Sequence, residues 1–116
     1  MGEYTLGDVT PQSMRMATAF GGGIGDTQQE LCGALAGGIM VIGGLLGRED
    51  ADQDDRAALN LATRYRTCFL QEFGYTQCAA LRKQIDTSKN INSCAELVEQ
   101  AAGILLRLMA SAQEEK

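Results

Sequence analysis

Leu31-Cys32-Gly33-Ala34-Leu35-Ala36-Gly37-Gly38-Ile39-Met40-Val41-Ile42-Gly43-Gly44-Leu45-Leu46-Gly47 is the segment whose reading decides the fold. It runs for seventeen residues without a charge, and six of them are glycine. A membrane-spanning helix needs about 20 apolar residues, so this segment is short for that purpose. No second segment of the kind exists in the chain. The reading is therefore a buried helix at the centre of a folded domain, without stable membrane insertion. Gly33 and Gly37 are four residues apart, as are Ala34 and Gly38. Each pair shares a helical face, and small residues at that spacing let a neighbouring backbone approach closely.

The flanking segments read as further helices. From Asp55 to Phe73, apolar residues fall at Ala58, Leu61, Ala62, Tyr65, Cys68, Phe69 and Phe73. That three–four spacing is the signature of an amphipathic helix, and Gly74 is placed to end it. Thr10-Pro11 starts an earlier helix that runs to about Phe20, with threonine as N-cap and proline at the first helical position. Gly21-Gly22-Gly23-Ile24-Gly25 breaks it. Asp26 and Thr27 offer caps for the central helix, and Thr27 with Glu30 makes a capping-box pattern. A short helix is predicted from about Gln77 to Lys83, then a polar connection over 86–92. Ser93 and Glu96 form a second capping box. They open a last helix with a stripe of Leu97, Val98, Ala101, Leu105 and Leu108. The expectation is an all-α, compact single-domain bundle of about four to five helices. Residues 1–116 form one domain, with 1–9 and 112–116 as flexible ends.

Composition narrows the function. The chain has 116 residues, a net charge of −5 and no histidine. An acidic protein is a poor ligand for nucleic acid, which selects basic faces. The N-terminal residues lack a basic start and an apolar run, so a cytoplasmic location is expected. Without imidazole, the usual acid, base and metal ligand at neutral pH, cysteine is the side chain that combines nucleophilicity, redox activity and affinity for soft metals. The four cysteines are Cys32, Cys68, Cys78 and Cys94. No Cys-x-x-Cys occurs among them, so neither a thioredoxin motif nor a zinc ribbon is indicated.

Position separates the four thiols. Cys94 follows the Ser93 cap, where unpaired N–H groups favour a thiolate, and its helical face directs it toward the core or a crevice. Cys78 falls in the first turn of the short helix, beside a loop that should expose it. Arg82, four residues on, adds positive charge. Cys32 is placed more than a turn inside its helix, in apolar surroundings that raise a thiol pKa and make it inert. Cys68 lies on the apolar stripe between Tyr65 and Phe69 and reads as core. The glycine run at 21–25 lacks a preceding strand and a P-loop lysine, so it reads as a turn and not a phosphate cradle. The acidic run from Glu49 to Asp55 lacks the EF-hand pattern and reads as a solvated loop.

These residues also carry a resemblance. Phe20-Gly21-Gly22-Gly23, Cys32-Gly33-Ala34-x-x-Gly37, Gly43-Gly44-Leu45-Leu46-Gly47-Arg48, Phe73-Gly74-Tyr75-Thr76-Gln77-Cys78 and Cys94 with Val98 and Ala101-Ala102 are similar to a bacterial and archaeal family. That family of redox-active proteins is named for its C_GCAxxG_C_C cysteine pattern. The pattern has four cysteines, and residues 1–31 of this chain supply none for its first position. The resemblance implies thiol chemistry at Cys32, Cys78 and Cys94. In the leading expectation two of them exchange between dithiol and disulfide with a redox partner. Cys78 or Cys94 attacks, Cys32 resolves, and no cofactor is required. A second reading makes the same three thiolates ligands of zinc or an iron–sulfur cluster, completed by Cys68, a carboxylate, water or a second copy in a homo-oligomer. A third is a helical interaction module without catalysis.

Overall fold

The computed structural model describes residues 9–87 and 93–114. Most of the expected flexible N-terminal end, residues 88–92 of the expected polar connection, and the last two residues lie outside this range. Five helices follow one another along the described residues: α1 Pro11–Thr18, α2 Gly33–Leu46, α3 Arg56–Phe73, α4 Cys78–Thr87 and α5 Cys94–Glu114. The chain is an all-α single-domain bundle, as its sequence implies. Among the described residues, pairing of strand type is confined to an isolated antiparallel bridge between Leu31 and Gln77.

Helix α3 is the spine. Leu61, Tyr65, Phe69 and Phe73 recur at three–four spacing, and all are buried. Successive rings meet edge to face, Tyr65–Phe69 with centroids 6.2 Å apart and Phe69–Phe73 at 4.6 Å, a geometry that adds to area burial. Gly74 ends the helix in the left-handed conformation at φ 83°, with its N–H bonded to the Leu70 carbonyl. Helix α2 contributes Leu35 and Ile42 to this core, α4 contributes Leu81, and α5 contributes Leu97, Ala101, Ile104 and Leu105. Val98, expected on the α5 stripe, is half exposed, and Ile104 is buried instead.

The glycine-rich helix is buried on one face and open on the other. Leu35, Ala36, Gly38 and Ile42 are buried, while Ile39 and Leu45 reach solvent. Close approach is used at one position in particular. A Cβ on Gly38 would sit 2.7 Å from Cζ of Tyr65, whose ring lies flat in the space that glycine leaves. The Tyr65 hydroxyl donates to the Ala34 carbonyl at 3.2 Å. Gly37, on the neighbouring face, has nothing within 4 Å of where its Cβ would be. Helix α1 adds no buried residue to the core.

This contrast sets a test. Gly38→Ala drives a methyl into a fully buried ring and is expected to destabilise the fold by about 1–3 kcal/mol. Gly37→Ala meets no neighbour and should stabilise it by up to about 1 kcal/mol through helix propensity. Urea unfolding of both variants checks the sign. Equal effects would show that Tyr65 does not depend on a glycine seat.

Candidate functional site

The segment between α1 and α2 is built by glycine. Gly22, Gly23, Ile24, Gly25, Asp26 and Gln28 all have φ between 57° and 70°, a left-handed path that disfavours ordinary residues. Backbone bonds from Gly25 to the Ala19 carbonyl and from Gln28 to the Gly22 carbonyl, each 2.8 Å, close the turn. The expected capping box at Thr27 and Glu30 does not form, because this left-handed turn overrides it. The Thr27 hydroxyl instead bonds back to the carbonyls of Gly23 and Ile24. Helix α2 therefore starts at Gly33, later than the local signal suggests.

The turn delivers residues 28–32 to the start of α4. Cys32 N–H donates to the Thr76 carbonyl at 2.7 Å, Cys78 N–H to the Glu30 carbonyl at 2.9 Å and Ala79 N–H to the Gln28 carbonyl at 2.9 Å. The Gln77 amide adds a bond to the Gln29 carbonyl at 2.9 Å. Gly23 lets the two segments close up, since a Cβ there would lie 2.7 Å from Cβ of Cys78. Across the Leu31–Gln77 bridge, Cys32 and Cys78 are diagonal neighbours. Such pairs share one side, with separations of about 7 Å.

Each of three helices thus begins at a cysteine: Cys32 is the N-cap of α2, Cys78 is the first residue of α4, and Cys94 is the first residue of α5. Ser93 caps α5, its hydroxyl accepting from Glu96 N–H at 3.1 Å. Cys78 and Cys94 both act electrostatically on Cys32. None of the four cysteines is in a disulfide. Three expectations change here. Cys32 stands at its helix terminus, not a turn inside it. Cys78 is buried, not exposed, because the 28–32 segment covers it. Cys94 is exposed, not turned into the core. Cys68 is half-buried against the α3 core.

Charge around the site is uneven. Burial pushes the Cys32 thiol above its ordinary value; the Ala34 and Leu35 N–H groups oppose this but are outweighed. Tyr65 beneath it is pushed up to about 12, by burial first and by Cys32 second. Arg82 lies beside Cys78, which, with Cys94 and Asp26, holds its guanidinium more firmly protonated. Its Nη2 is 3.4 Å from Asp26 Oδ1. Tyr65 and Asp26 were missed as neighbours of the thiols, because the contacts that place them span the loop and join different helices.

Among the described residues, no three cysteine, histidine, aspartate or glutamate side chains are placed to hold one metal ion. An open groove of about 620 Å³ lies elsewhere, between α3 and α5. Its walls include Glu72, Glu99, Gln100, Ile104 and Arg107 but no cysteine. Among the described residues no helix is long and apolar enough to cross a membrane.

Fold and site together define an all-helical protein with three of its four cysteines at helix starts. The family model described as "Putative redox-active protein (C_GCAxxG_C_C)" matches residues 2–108, and the chain belongs to that family. The match spans the region upstream of Cys32, yet the first cysteine of the pattern is absent. No curated protein and no solved structure matches the chain.

The two raised groups set the response to alkali. Both hold their protons more tightly folded than unfolded. Their contribution is complete below the unfolded values and is lost as pH rises toward the folded ones. Stability should fall first from about pH 9, the ordinary value for Cys32, and further between pH 10 and about 12 for Tyr65. The tyrosine phase amounts to roughly 2–3 kcal/mol at most. Urea unfolding across this range under reductant measures it, and Tyr65→Phe should remove the upper phase. An unchanged upper phase in that variant would refute the assignment.

Proposed function

We propose that the chain is a thiol–disulfide redox protein in which Cys94 is the attacking thiol and an inner thiol, Cys32 or Cys78, resolves. The observation that carries this reading is the division of labour by exposure. One cysteine at a helix N-terminus faces solvent, and near it stand a buried one, Cys78, and a half-buried one, Cys32, on which Cys94 acts electrostatically. Reactive cysteines are accessible and sit in fields that favour the thiolate, and the start of α5 supplies such a field to Cys94. Membership of a redox-active family agrees with the reading.

The exchange balances as a two-electron transfer. The Cys94 thiol loses its proton to solvent, and its thiolate attacks one sulfur of a partner disulfide. The partner S–S bond breaks, a Cys94–partner mixed disulfide forms, and the first partner thiolate leaves. The inner thiolate then attacks the Cys94 sulfur and expels the second partner thiolate. The partner disulfide is reduced to two thiols, and the protein dithiol is oxidised to one disulfide. The reverse sequence reduces the protein. Cys68, seated against the aromatic core, takes no part. A reducing compartment such as the cytoplasm suits a protein that works from the dithiol form.

Reduced, anaerobic protein treated with oxidised glutathione should lose two thiols and regain them with dithiothreitol. Peptide mapping should find Cys94 in the disulfide and Cys68 free. Cys94→Ser should abolish formation of the mixed disulfide at neutral pH. A wild-type protein that retains four thiols, or that pairs without Cys94, would sink the reading.

A further inference from the structure

We propose that Arg82 is a positioning residue that makes Cys78, rather than Cys32, the thiolate that resolves the Cys94 mixed disulfide, with Asp26 holding Arg82 in place. The inference rests on the exchange reading above and adds to it the identity and control of the second nucleophile.

Helix α4 has little of its own N-terminal field left for Cys78. The N–H groups of Cys78 and Ala79 are spent on the carbonyls of Glu30 and Gln28, and Leu81 N–H is spent on Gln77. Two of the N–H groups that would face an anion at a helix start are thereby taken by backbone carbonyls. A thiolate at this buried position needs another cation, and Arg82 is one helical turn further on, on the same face.

The state of Arg82 points to that role. Its Nε is buried and has no hydrogen-bond partner, while its Nη2 reaches Asp26. A buried donor left unmade is unfavourable, and a sulfur carrying a full negative charge is a far better acceptor than a neutral thiol. Ionisation of Cys78 gives the guanidinium beside it an anionic acceptor. Cys78 is also the strongest of the groups that hold the guanidinium protonated, ahead of Cys94 and Asp26. Asp26 reaches its place through a left-handed residue at φ 57°, and Gly22 leaves the space its carboxylate needs.

Among the described residues, no cation acts on Cys32. Its surroundings are the Ala34 and Leu35 N–H groups, the other two thiols and the Tyr65 phenol, and burial dominates. Among the described residues, the ionisable groups around Cys78 and Arg82 include Asp26 on the glycine turn, Cys32 on α2 and Cys94 on α5. Resolution then transfers the bond without residue: the Cys78 proton goes to solvent, the Cys78 thiolate attacks Cys94 sulfur, and the small thiolate bound there leaves.

The test follows both steps in the full-length, reduced chain. Oxidised glutathione is added anaerobically, samples are quenched in acid, and mass spectrometry separates the Cys94 adduct from the internal disulfide. In the wild type the internal disulfide should map to Cys78–Cys94. In Arg82→Ala the conversion of adduct to internal disulfide should slow by about tenfold or more at pH 7, with the midpoint of its pH profile moved up. Arg82→Lys should recover most of the rate, and Asp26→Asn should slow it less than Arg82→Ala. Urea unfolding confirms that each variant is folded. Should Arg82→Ala unfold, Arg82→Lys and Asp26→Asn carry the same pH-profile comparison. A Cys32–Cys94 disulfide in the wild type overturns the proposal while leaving the exchange reading intact. Unchanged resolution rates and pH profiles across the variants do the same. Failure of the wild type to form any internal disulfide overturns both.

Discussion

The backbone clip between residues 28–32 and residues 76–79 is the constraint on which the site depends. Three N–H to carbonyl bonds and one bridge bring the start of α2 against the start of α4, although 46 positions separate Cys32 from Cys78 in the chain. Helix starts normally leave their first N–H groups unpaired. Here the clip satisfies two of those of α4 and buries its first cysteine in the same act. The left-handed turn that feeds the clip is costly, for Ile24 sits at φ 67°, where a β-branched residue is disfavoured by about 1–2 kcal/mol. Such a path persists only where its surroundings over-determine it, and the glycines on either side lower the expense.

The scaffold and the site are supported separately. Tyr65, Phe69 and Phe73 give α3 a rigid ring stack, and α2 and α5 pack on it through aliphatic side chains. Tyr65 joins the two layers. Its ring occupies the gap at Gly38, and its hydroxyl bonds to Ala34 in the first turn of α2, directly after Cys32. The core thus reaches to within a turn of the thiols, while Arg82 and Asp26 meet at the periphery, where both remain partly exposed. Exposed ion pairs contribute little to stability, so the Arg82–Asp26 contact matters for where it holds the guanidinium rather than for the fold.

Sequence legibility followed the range of the interactions. Helix α3 was readable to its ends because its period and its Gly74 cap are local signals, and the Ser93 cap of α5 was readable for the same reason. The start of α2 was not. Thr27 and Glu30 have the spacing of a capping box, but the glycines before them commit the backbone to a left-handed turn whose stabilising bonds run to residues 76–79. The exposures of Cys78 and Cys94 were exchanged for a related reason. A cysteine beside a loop reads as exposed unless the loop folds over it, and one on an apolar stripe reads as buried unless the stripe is narrower than it looks. Val98, half exposed beside Cys94, marks that narrower stripe.

The missing first cysteine bears on which chemistry the remaining three suit. A tetrahedral thiolate site takes four ligands, and among the described residues the donors of this chain do not assemble one. A two-electron exchange takes two thiols, one accessible and one able to ionise behind it. Three thiols leave one to spare, and the fold distinguishes among them without any imidazole. Exposure singles out Cys94, a neighbouring guanidinium singles out Cys78, and burial beside a phenol leaves Cys32 protonated. On this reading the cysteine of the glycine-rich motif is the quiet member of the set. Its helix start serves the clip that brings the other parts together, and its N–H, bonded to Thr76, contributes more to the site than its sulfur does.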